Sequence, residues 1–347
     1  MPAVAVCVLR PMQLPVNTNA PENAPWMEIR PFRLIDAQLR HVREYIRQSL
    51  VTAATADEQV PLYDHLIARN GKMIRPGLVL LTGKCLGQIV EGHFQVAAMV
   101  QMIHDATLLH DDVVDDGESR RGVPTVNCLW GNESAVLLGD FVLSRVFKMA
   151  AELESPVARV LAQTAMRVCE GELRQVMQRQ NWQLRETEYL DIITDKSASF
   201  FSGCCRLGAM LAQAPQEQVE AASVYGLHAG TAFQIVDDVL DIMGDEGRMG
   251  KKVQSDFENG KPTLAVIHLL ETARAGDREA IYKMLKTPAD SKSDLVAMLA
   301  RNGSVAYARE RAQHYVAKAI RALEALPASE VRDALAETAR LMAERAA

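Results

Sequence analysis

The chain has 347 residues, a formal net charge of −6, and 48% apolar against 24% charged residues. That apolar fraction is too high for a disordered chain. With 38 basic and 44 acidic residues, the balance also argues against a nucleic-acid partner. No apolar run approaches the roughly 18 residues that a membrane-spanning helix needs. The sequence therefore predicts a globular chain without a membrane anchor.

Residues 1–25 differ in composition from the rest of the chain. They hold five of the 14 prolines and almost no charge, and no basic residue precedes their short apolar run. A secretory signal peptide would carry such a basic residue. We expect residues 1–25 to be a disordered extension, or the product of an upstream start codon, and residues 26–347 to form a single domain.

The six cysteines indicate a reducing compartment. They are scattered without a Cys-x-x-Cys pair, and the adjacent Cys204 and Cys205 are poorly placed to bridge each other. Such thiols are most often small buried apolar residues. We therefore predict a cytoplasmic protein without disulfides.

Composition and periodicity favour helices throughout. Aromatic residues make up only 5%, while strong helix formers abound. From about residue 33 onward, apolar residues recur at spacings of three and four, and no alternating strand pattern with hairpin turns is evident. Without repeats or a Gly/Ser linker, one all-α domain is predicted. The later predicted helical stretches are 133–152, 155–181, 186–212, 216–242, 262–287, 292–300 and 303–346.

Two acidic clusters carry the chemistry. Residues 111–115 read Asp-Asp-Val-Val-Asp and residues 237–241 read Asp-Asp-Val-Leu-Asp, each after an apolar helical stretch. Helical residues four apart share a face, where like charges destabilise by roughly a few tenths of a kcal/mol per pair. One such cluster could equally be a solvated helix end. Two of them predict helices facing each other across a cavity, with Mg²⁺ on both sides of one diphosphate.

Basic residues surround both aspartate clusters. Carboxylates alone indicate a metal, whereas carboxylates with Lys and Arg indicate a polyanion held between them. Any single basic residue could instead lie on a solvated surface, but their clustering favours diphosphate binding. The residues are Lys72, Arg75, Arg120, Arg121, Lys251, Lys252 and Lys261.

These motifs resemble those of the trans-type polyprenyl diphosphate synthases, most closely the long-chain, octaprenyl-type members. Residues 104–115 with 120–122 resemble the first aspartate-rich motif of that family, and residues 233–241 with 250–264 resemble the second. Further blocks of similarity are Gly139-Asp140, Glu170-Gly171-Glu172 with Gln175, and Lys196-Ser197-Ala198. The resemblance runs from about residue 33 to residue 346, and the combination of motifs is highly specific.

The resemblance implies a single large helical bundle around a central cavity and a Mg²⁺-dependent enzyme. Such an enzyme condenses isopentenyl diphosphate with an allylic diphosphate, here farnesyl diphosphate, into a long-chain all-trans polyprenyl diphosphate. The reaction proceeds by ionisation, condensation and elimination. The resemblance also implies a homodimer that serves quinone side-chain synthesis, with at most transient membrane contact as the hydrophobic product leaves.

Residue roles follow from the same resemblance. The implied Mg²⁺ ligands are Asp111, Asp112, Asp115 and Asp237, and the implied catalytic residues are these four with Asp238, Asp241, Lys196 and Gln234. The implied isopentenyl diphosphate site contains Lys72, Arg75, His104 and Arg121. The implied allylic diphosphate site contains Arg120, Lys196, Lys251 and Lys261, with Ser197 and Gln234 as polar neighbours.

Four residues depart from the family pattern. Met73 stands where Arg is frequent, and Ser197 replaces Thr but keeps the hydroxyl. Gln254 replaces a Gly, which puts the conformation of its loop in doubt because only Gly enters positive φ cheaply. Asp105 replaces a usual Thr, and the sequence offers no explanation for it.

Small and apolar residues precede the first aspartate cluster. Short-chain family members tend to place a bulky aromatic residue here, which closes the cavity, whereas this chain has small and adaptable side chains. They favour an open tunnel for a long product, although ordinary helix packing would also use small residues. The predicted lining is Thr107, Ala106, Ile103, Met102 and Met99.

Several alternatives remain open from the sequence. A class I terpene cyclase shares the first motif but usually carries an Asn/Ser/Glu motif in second place. A regulatory subunit of a heteromeric synthase tends to lose the aspartates that this chain keeps. A di-iron bundle would require Glu-x-x-His, which does not occur in the sequence. A shorter-chain synthase, making farnesyl or geranylgeranyl diphosphate, keeps every motif and differs only in the tunnel.

Overall fold

The computed structural model describes residues 24–51, 59–68, 71–120, 122–243, 255–286 and 288–344. Arg121 and Lys251, predicted to bind diphosphate, lie outside the described residues, as does Gln254. Nearly all the described chain is helical, which confirms the predicted all-α fold. None of the helices seen in these ranges is long and apolar enough to cross a membrane.

The first part of the chain forms helices that begin after two short 3₁₀ turns, Pro25–Glu28 and Arg30–Ile35. Proline occurs in the first turn of several of them, where its missing N–H has no helical partner to lose. The helices are α1 (Asp36–Val51), α2 (Val60–Ala68), α3 (Ile74–Leu86), α4 (Glu91–Val114), α5 (Val126–Trp130), α6 (Asn132–Ala150) and α7 (Ser155–Met177).

The second part contains the longest helix and a π-helical interruption. Its elements are α8 (Glu186–Ile193), a π-helical segment (Thr194–Ala198), α9 (Ser199–Leu211), α10 (Gln216–Met243), α11 (Ser255–Glu258), α12 (Leu264–Thr272), α13 (Ala275–Lys286), α14 (Pro288–Arg301), α15 (Ser304–Ala322), a 3₁₀ turn (Leu323–Ala325) and α16 (Glu330–Glu344). The described cysteines all carry free thiols, as predicted, and Cys7 lies outside the described residues.

A small antiparallel strand pair was not expected from the sequence. Strand β1 (Ser119–Arg120) pairs with β2 (Val123–Pro124), directly after the first aspartate cluster. Two residues per strand are too few for the alternation by which strands are recognised. The pair turns the chain back at the end of α4 and places Arg120 beside the aspartates.

Four predicted helical stretches end earlier or break, and one of them, 262–287, divides after Thr272 into α12 and α13. The stretch 155–181 ends at Met177. The stretch 186–212 is interrupted by the π-helical segment, and the stretch 303–346 breaks at the turn that precedes Pro327. Periodicity alone cannot locate such breaks, because the apolar spacing continues through them.

The buried core forms two clusters, and α10 belongs to both. Ala229 and Ala232 of α10 pack in the first cluster, with residues of α1, α3, α4, α6 and α9. Ile235 and Val239 of α10 pack in the second cluster, with residues of α8, α12 and α15. The long helix α10 therefore connects the two parts of the bundle and carries the second aspartate motif where they meet.

Both aspartate motifs lie at the carboxyl ends of long helices. The first occupies the last turn of α4, with Asp115 as the residue that ends the helix. The second occupies the last turns of α10. The negative end of a helix dipole disfavours carboxylates by about 0.3–1 kcal/mol each. The position of these aspartates therefore lowers the stability of both helices. We expect that they lie there because they form a functional site.

Candidate active site

The two motifs are joined by the chain segment that follows α10. The ammonium Nζ of Lys261 lies 2.9 Å from Oδ2 of Asp115 and 3.8 Å from Oδ1 of Asp256. The backbone N–H of Asp256 donates to Oδ2 of Asp241 at 3.0 Å. Contacts therefore run from the end of α4 through Lys261 and Asp256 to the end of α10, so the two motifs share one site.

Asp112 faces the strand pair rather than the other aspartates. It is buried, and its Oδ1 accepts hydrogen bonds from Nε and Nη2 of Arg120 at 2.8 and 2.7 Å. The amide of Asn127 donates to the backbone oxygen of Asp112 at 3.3 Å. In this conformation Asp112 holds Arg120 in place, although the sequence predicts it as a metal ligand.

Asp111 lies close to a second acidic side chain, Glu172. Burial, and next the nearby charge of Glu172, raise the pKa of the Asp111 carboxyl from its ordinary value to about 6. Lys196 and Arg120 lower that pKa and only partly offset the effect. Burial is the largest of these effects, so the raised pKa of Asp111 reflects lost hydration first and the charge of Glu172 second.

Lys196 is held by the two residues predicted as a family block. Its Nζ donates to Oε1 of Glu172 at 2.8 Å and to Oε1 of Gln175 at 2.7 Å. Burial disfavours the charged ammonium, but Glu172 and Asp111 outweigh it, and the pKa of Lys196 is raised. Gly171 allows the approach, since a Cβ there would overlap the backbone of Lys196. Lys196 lies in the π-helical segment, a feature frequent at functional sites.

A chain of hydrogen bonds fixes Gln234 and the second motif. The hydroxyl of Ser197 donates to Oε1 of Gln234 at 2.5 Å, and Nε2 of Gln234 donates to Oδ1 of Asp238 at 2.8 Å. The hydroxyl of Tyr189 donates to Oδ2 of Asp238 at 2.6 Å. Burial, and next the charge of Asp256, raise the pKa of Asp238 to about 8. Asp238 is thus a buried anchor, whereas its neighbour Asp237 is only half-buried.

The described members of the predicted isopentenyl diphosphate site are Lys72, which precedes α3, Arg75 on α3 and His104 on α4. Lys72 pairs with Glu28 at 2.6 Å, and the guanidinium carbon of Arg75 lies 4.9 Å from the ring centre of Phe200. Between them, Met73 is buried and has φ +51°, a conformation that few side chains adopt. The half-buried His104 lies on α4, before the first motif. The structure thus places Arg75 beside α9, the helix that follows Lys196.

The predicted tunnel residues differ in burial. The most enclosed of them are Ala106, Met99, Met102 and Ile103. Thr107 is half-buried, and its hydroxyl donates to the backbone oxygen of His104 at 2.8 Å. Thr107 lies one turn before Asp111 and shares its helical face. Of the predicted lining, Thr107 is therefore the residue that faces the site most openly.

Two residues near the first motif have local partners. Asp105, unexplained by the sequence, accepts a hydrogen bond from Nε2 of Gln101 at 2.8 Å. His110 packs against Gly139, where a Cβ would overlap its ring, and lies 3.5 Å from Asp140. This packing accounts for the family block at Gly139-Asp140 and gives His110 a structural role.

The donor set fits a hard divalent cation. The site residues offer carboxylate oxygens, which Mg²⁺ prefers together with water and substrate phosphates, and Asp111 lies close enough to Glu172 for the charge of Glu172 to raise its pKa further. Within the described ranges, no three carboxylate, His or Cys side chains converge into a ready metal-binding group. In this conformation Arg120 engages Asp112 and Lys261 engages Asp115. Occupancy by a metal therefore requires Asp115 to give up one of its cations.

Two residues of the site were not found by sequence reasoning. Arg179 follows the end of α7, and its Nη2 donates to Oδ1 of Asp115 at 2.7 Å. Tyr189 is buried beneath the second motif on Asp238. Neither belongs to a motif, and both are distant in sequence from the aspartate they contact, so no local signal points to them.

Known proteins match most of this chain. A family model described as polyprenyl synthetase matches residues 59–301. The octaprenyl diphosphate synthase of Haemophilus influenzae is 35% identical over 318 residues, which cover 90% of this chain and 95% of that protein. A short chain isoprenyl diphosphate synthase of Methanothermobacter thermautotrophicus is also 35% identical, over 309 residues that cover 87% of this chain and 94% of that protein.

A solved structure extends the similarity to the fold. The polyprenyl synthase of Caulobacter crescentus, crystallised with calcium and isoprenyl diphosphate, has a TM-score of 0.87 to this chain at 31% identity. The alignment covers 92% of this chain and 98% of that one. The family match includes both aspartate motifs, Lys196 and Lys261. The chain therefore belongs to the polyprenyl synthetase family and is an enzyme of the trans-prenyltransferase type.

Proposed function

We propose that this chain condenses isopentenyl diphosphate with an allylic diphosphate, in a Mg²⁺-dependent reaction, to make a long-chain all-trans polyprenyl diphosphate. The observation that carries the proposal is the junction of the two aspartate motifs. Lys261 reaches Asp115 of the first motif, while Asp256, beside it, contacts Asp241 of the second. Carboxylates and cations thus converge from helices far apart in sequence, as the binding of a metal diphosphate requires.

Different residues of the site would assist different parts of the ionisation of the allylic substrate. Mg²⁺, when bound, would neutralise negative charge on the diphosphate as it leaves. Lys196 and Lys261 would donate hydrogen bonds to the same departing diphosphate, which gains charge in the transition state. Gln234, held by Ser197 and Asp238, would present a fixed dipole near the developing allylic cation. Asp111, Asp115 and Asp237 are the proposed metal ligands.

The second substrate would bind from the side of α3. Lys72, Arg75 and His104 are proposed to hold the diphosphate of isopentenyl diphosphate, and the proposal extends to Arg121. The rings of Phe200 and Phe201 pack under the Arg75 guanidinium, at 4.9 and 5.1 Å from its carbon. This apolar backing reduces competition from water for the arginine. It also favours capture of the carbocation by the double bond over hydrolysis.

The product length is the finer part of the proposal. The small side chain of Thr107, on the face of Asp111, supports a long product because it leaves room for the growing tail. A shorter product is the second candidate, since the short-chain relative from Methanothermobacter is as identical to this chain as the octaprenyl relative is. The farnesyl primer and a place in quinone side-chain synthesis remain proposals drawn from the resemblance.

A homodimer is supported by exposed apolar side chains on two helices. On α6, Leu137 and Phe147 are 66% and 69% exposed, and on α7, Leu173 and Met177 are 66% and 81% exposed. Large exposed apolar patches mark interaction surfaces, and these four side chains would contribute to one. We propose that this face pairs two copies of a single-domain, cytoplasmic enzyme formed by residues 26–347, which contacts membranes only transiently to release product.

The proposal is tested by incubating the purified protein with Mg²⁺, farnesyl diphosphate and labelled isopentenyl diphosphate, and by measuring the chain length of the product. We expect long-chain products with Mg²⁺ and none when EDTA removes the metal. Products no longer than geranylgeranyl diphosphate would favour the short-chain candidate. Full turnover in EDTA, or no incorporation of label under any condition, would contradict the proposal.

A further inference from the structure

Arg179 shares the carboxylate of Asp115 with Lys261. Nη2 of Arg179 lies 2.7 Å from Oδ1, while Nζ of Lys261 lies 2.9 Å from Oδ2. Each oxygen of the carboxylate thus has its own cation. Lys261 belongs to the second motif region, whereas Arg179 lies outside both aspartate motifs.

The backbone around Arg179 is fixed to the loop that carries Lys261. Gln180 has φ +62° and Gly260 has φ +65°, so both occupy the left-handed region. The N–H of Gln180 donates to the backbone oxygen of Gly260 at 2.7 Å. A Cβ at Gly260 would lie 2.8 Å from Cγ of Gln180, so the close approach depends on glycine. The two loops therefore dock together and present both cations to the same carboxylate.

Arg179 has hydrogen-bonding capacity that the described protein does not use. Its Nε is buried and has no hydrogen-bond partner within the described residues. Arg120 differs, because its Nε and Nη2 both donate to Asp112. A buried donor without an acceptor is unfavourable, and its presence indicates an acceptor outside the described residues. The donor lies on the same guanidinium that touches Asp115, so that acceptor would lie at the metal-diphosphate site.

We propose that Arg179 is a further diphosphate-binding residue. Its guanidinium pairs with Asp115 before substrate binds and donates hydrogen bonds to the oxygens of the allylic diphosphate when that substrate binds. The proposal rests on the function proposed above. Mg²⁺ takes its oxygen ligands at about 2.0–2.1 Å. A diphosphate that shares the ion with Asp115 would therefore lie close to the Asp115 carboxylate, within reach of the guanidinium that contacts it. The planar guanidinium also matches the paired oxygens of a phosphate better than an ammonium does.

A purely structural role for Arg179 predicts the opposite sign. If Arg179 only neutralised Asp115, its removal would free that carboxylate for the metal, and diphosphate binding would stay the same or become tighter. If Arg179 binds the diphosphate, its removal weakens that binding. The direction of the change therefore separates the two roles, and it can be measured without turnover.

The test is isothermal titration of inorganic diphosphate into the protein with saturating Mg²⁺. Arg179→Met keeps the length of the side chain and removes its donors, and we expect a rise in Kd of roughly ten-fold or more, the range typical of a charge-assisted hydrogen bond. Arg185→Met is the matched control, because Arg185 is exposed at the start of α8 and, among the described residues, forms its ion pair with Glu188. We expect its Kd to equal that of the wild type.

Two further measurements keep the outcomes distinct. Arg179→Lys should recover part of the affinity and should fold if Arg179→Met does not, because it keeps the charge on Asp115. In steady-state assays, Arg179→Lys should raise the KM for the allylic diphosphate and leave that for isopentenyl diphosphate unchanged. Wild-type or tighter affinity for diphosphate in Arg179→Met, or an unchanged KM for the allylic diphosphate in Arg179→Lys, would overturn this inference alone. Failure of the wild type itself to bind diphosphate with Mg²⁺ would overturn the proposed function as well.

Discussion

Lys261 and Asp115, separated by 146 positions in the sequence, form an ion pair of 2.9 Å at the junction of the two aspartate motifs. The pairing is built in, because the backbone N–H of Lys261 donates to the backbone oxygen of Asp256 at 2.8 Å and fixes the loop. The site therefore neutralises one of its own proposed metal ligands in this conformation. Binding of a metal diphosphate would exchange these internal ion pairs for pairs with the substrate.

The division into two diphosphate sites predicts opposite kinetic biases. Lys196→Ala and Lys261→Ala should raise the KM for the allylic diphosphate by roughly ten-fold or more, since each loses a hydrogen bond between charged groups. Lys72→Ala and Arg75→Ala should instead raise the KM for isopentenyl diphosphate. The check is steady-state kinetics with each substrate varied in turn. Equal effects on both substrates in all four variants would refute the division.

The burial of α4 predicts that the product tail passes Thr107. Thr107→Tyr places a bulky ring one turn before Asp111, on the same face, and should shorten the product while the first condensation proceeds nearly normally. Product chain length by mass spectrometry measures the effect. An unchanged product would show that the tail runs elsewhere.

Ala106→Tyr is the matched variant on the adjacent position. Ala106 is fully buried in the closed core, so a tyrosine there overpacks the helix interface, at a cost of about 1–3 kcal/mol. We expect a lower unfolding midpoint in urea for Ala106→Tyr than for Thr107→Tyr. Equal stability of the two variants would contradict the assignment of Ala106 to packing.

His93 predicts a pH dependence of stability that is independent of the active site. Its Nδ1 accepts from the N–H of Val90 and its Nε2 donates to the backbone oxygen of Gly208, each at 3.1 Å. Burial lowers the pKa of His93 from its ordinary value of 6.5. Below about pH 6.5 this histidine therefore binds a proton in the unfolded chain but stays neutral in the folded chain. The free energy of unfolding consequently falls as the pH falls through that value.

The measurement is urea unfolding of the wild type and His93→Gln between pH 5 and pH 8. The wild type should lose up to about 1.4 kcal/mol of unfolding free energy per pH unit below pH 6.5 from this one group. The variant lacks the titrating ring and should show a correspondingly shallower decline. Parallel pH profiles for the two proteins would exclude His93 as the source.

The hydrogen bond from Tyr189 to Asp238 predicts that the protein loses stability when the tyrosine hydroxyl is removed. Tyr189→Phe removes one of the two donors to this buried carboxyl and should lower the unfolding free energy by about 1–3 kcal/mol. Tyr189 holds the pKa of Asp238 below the value that burial alone would give, yet that pKa is still about 8. The loss should therefore be larger above pH 8, where Asp238 is ionised, than at pH 6. An unchanged urea midpoint at both pH values would contradict the role of the tyrosine.

The fold and the main site were accessible from the sequence because their signals are local. Aspartates four apart define the motifs, Asp111 with Asp115 and Asp237 with Asp241. Periodic apolar residues define the helices that carry them. The π-helical segment that places Lys196 was not accessible, since the apolar pattern continues through it. The strand pair that orients Arg120 was too short to leave a pattern.

The remaining features depend on contacts between distant residues. Arg179 reaches Asp115 because two left-handed loop residues, Gln180 and Gly260, dock against each other. No composition or spacing rule anticipates that contact. Similarly, the tunnel prediction treated Ala106 and Thr107 alike, whereas packing encloses the first and leaves the second half-buried.

The central claim is that the carboxylates of the two motifs hold the metal at which the allylic diphosphate ionises. The most direct test is the kcat for prenyl transfer in Asp111→Asn and in Asp237→Asn. The control is Glu91→Gln, because Glu91 is exposed at the opposite end of α4. The two motif variants should lose roughly 10²–10³-fold in kcat, the usual effect of removing one stabiliser of developing charge, and the control should match the wild type. Wild-type kcat in either motif variant would contradict the claim.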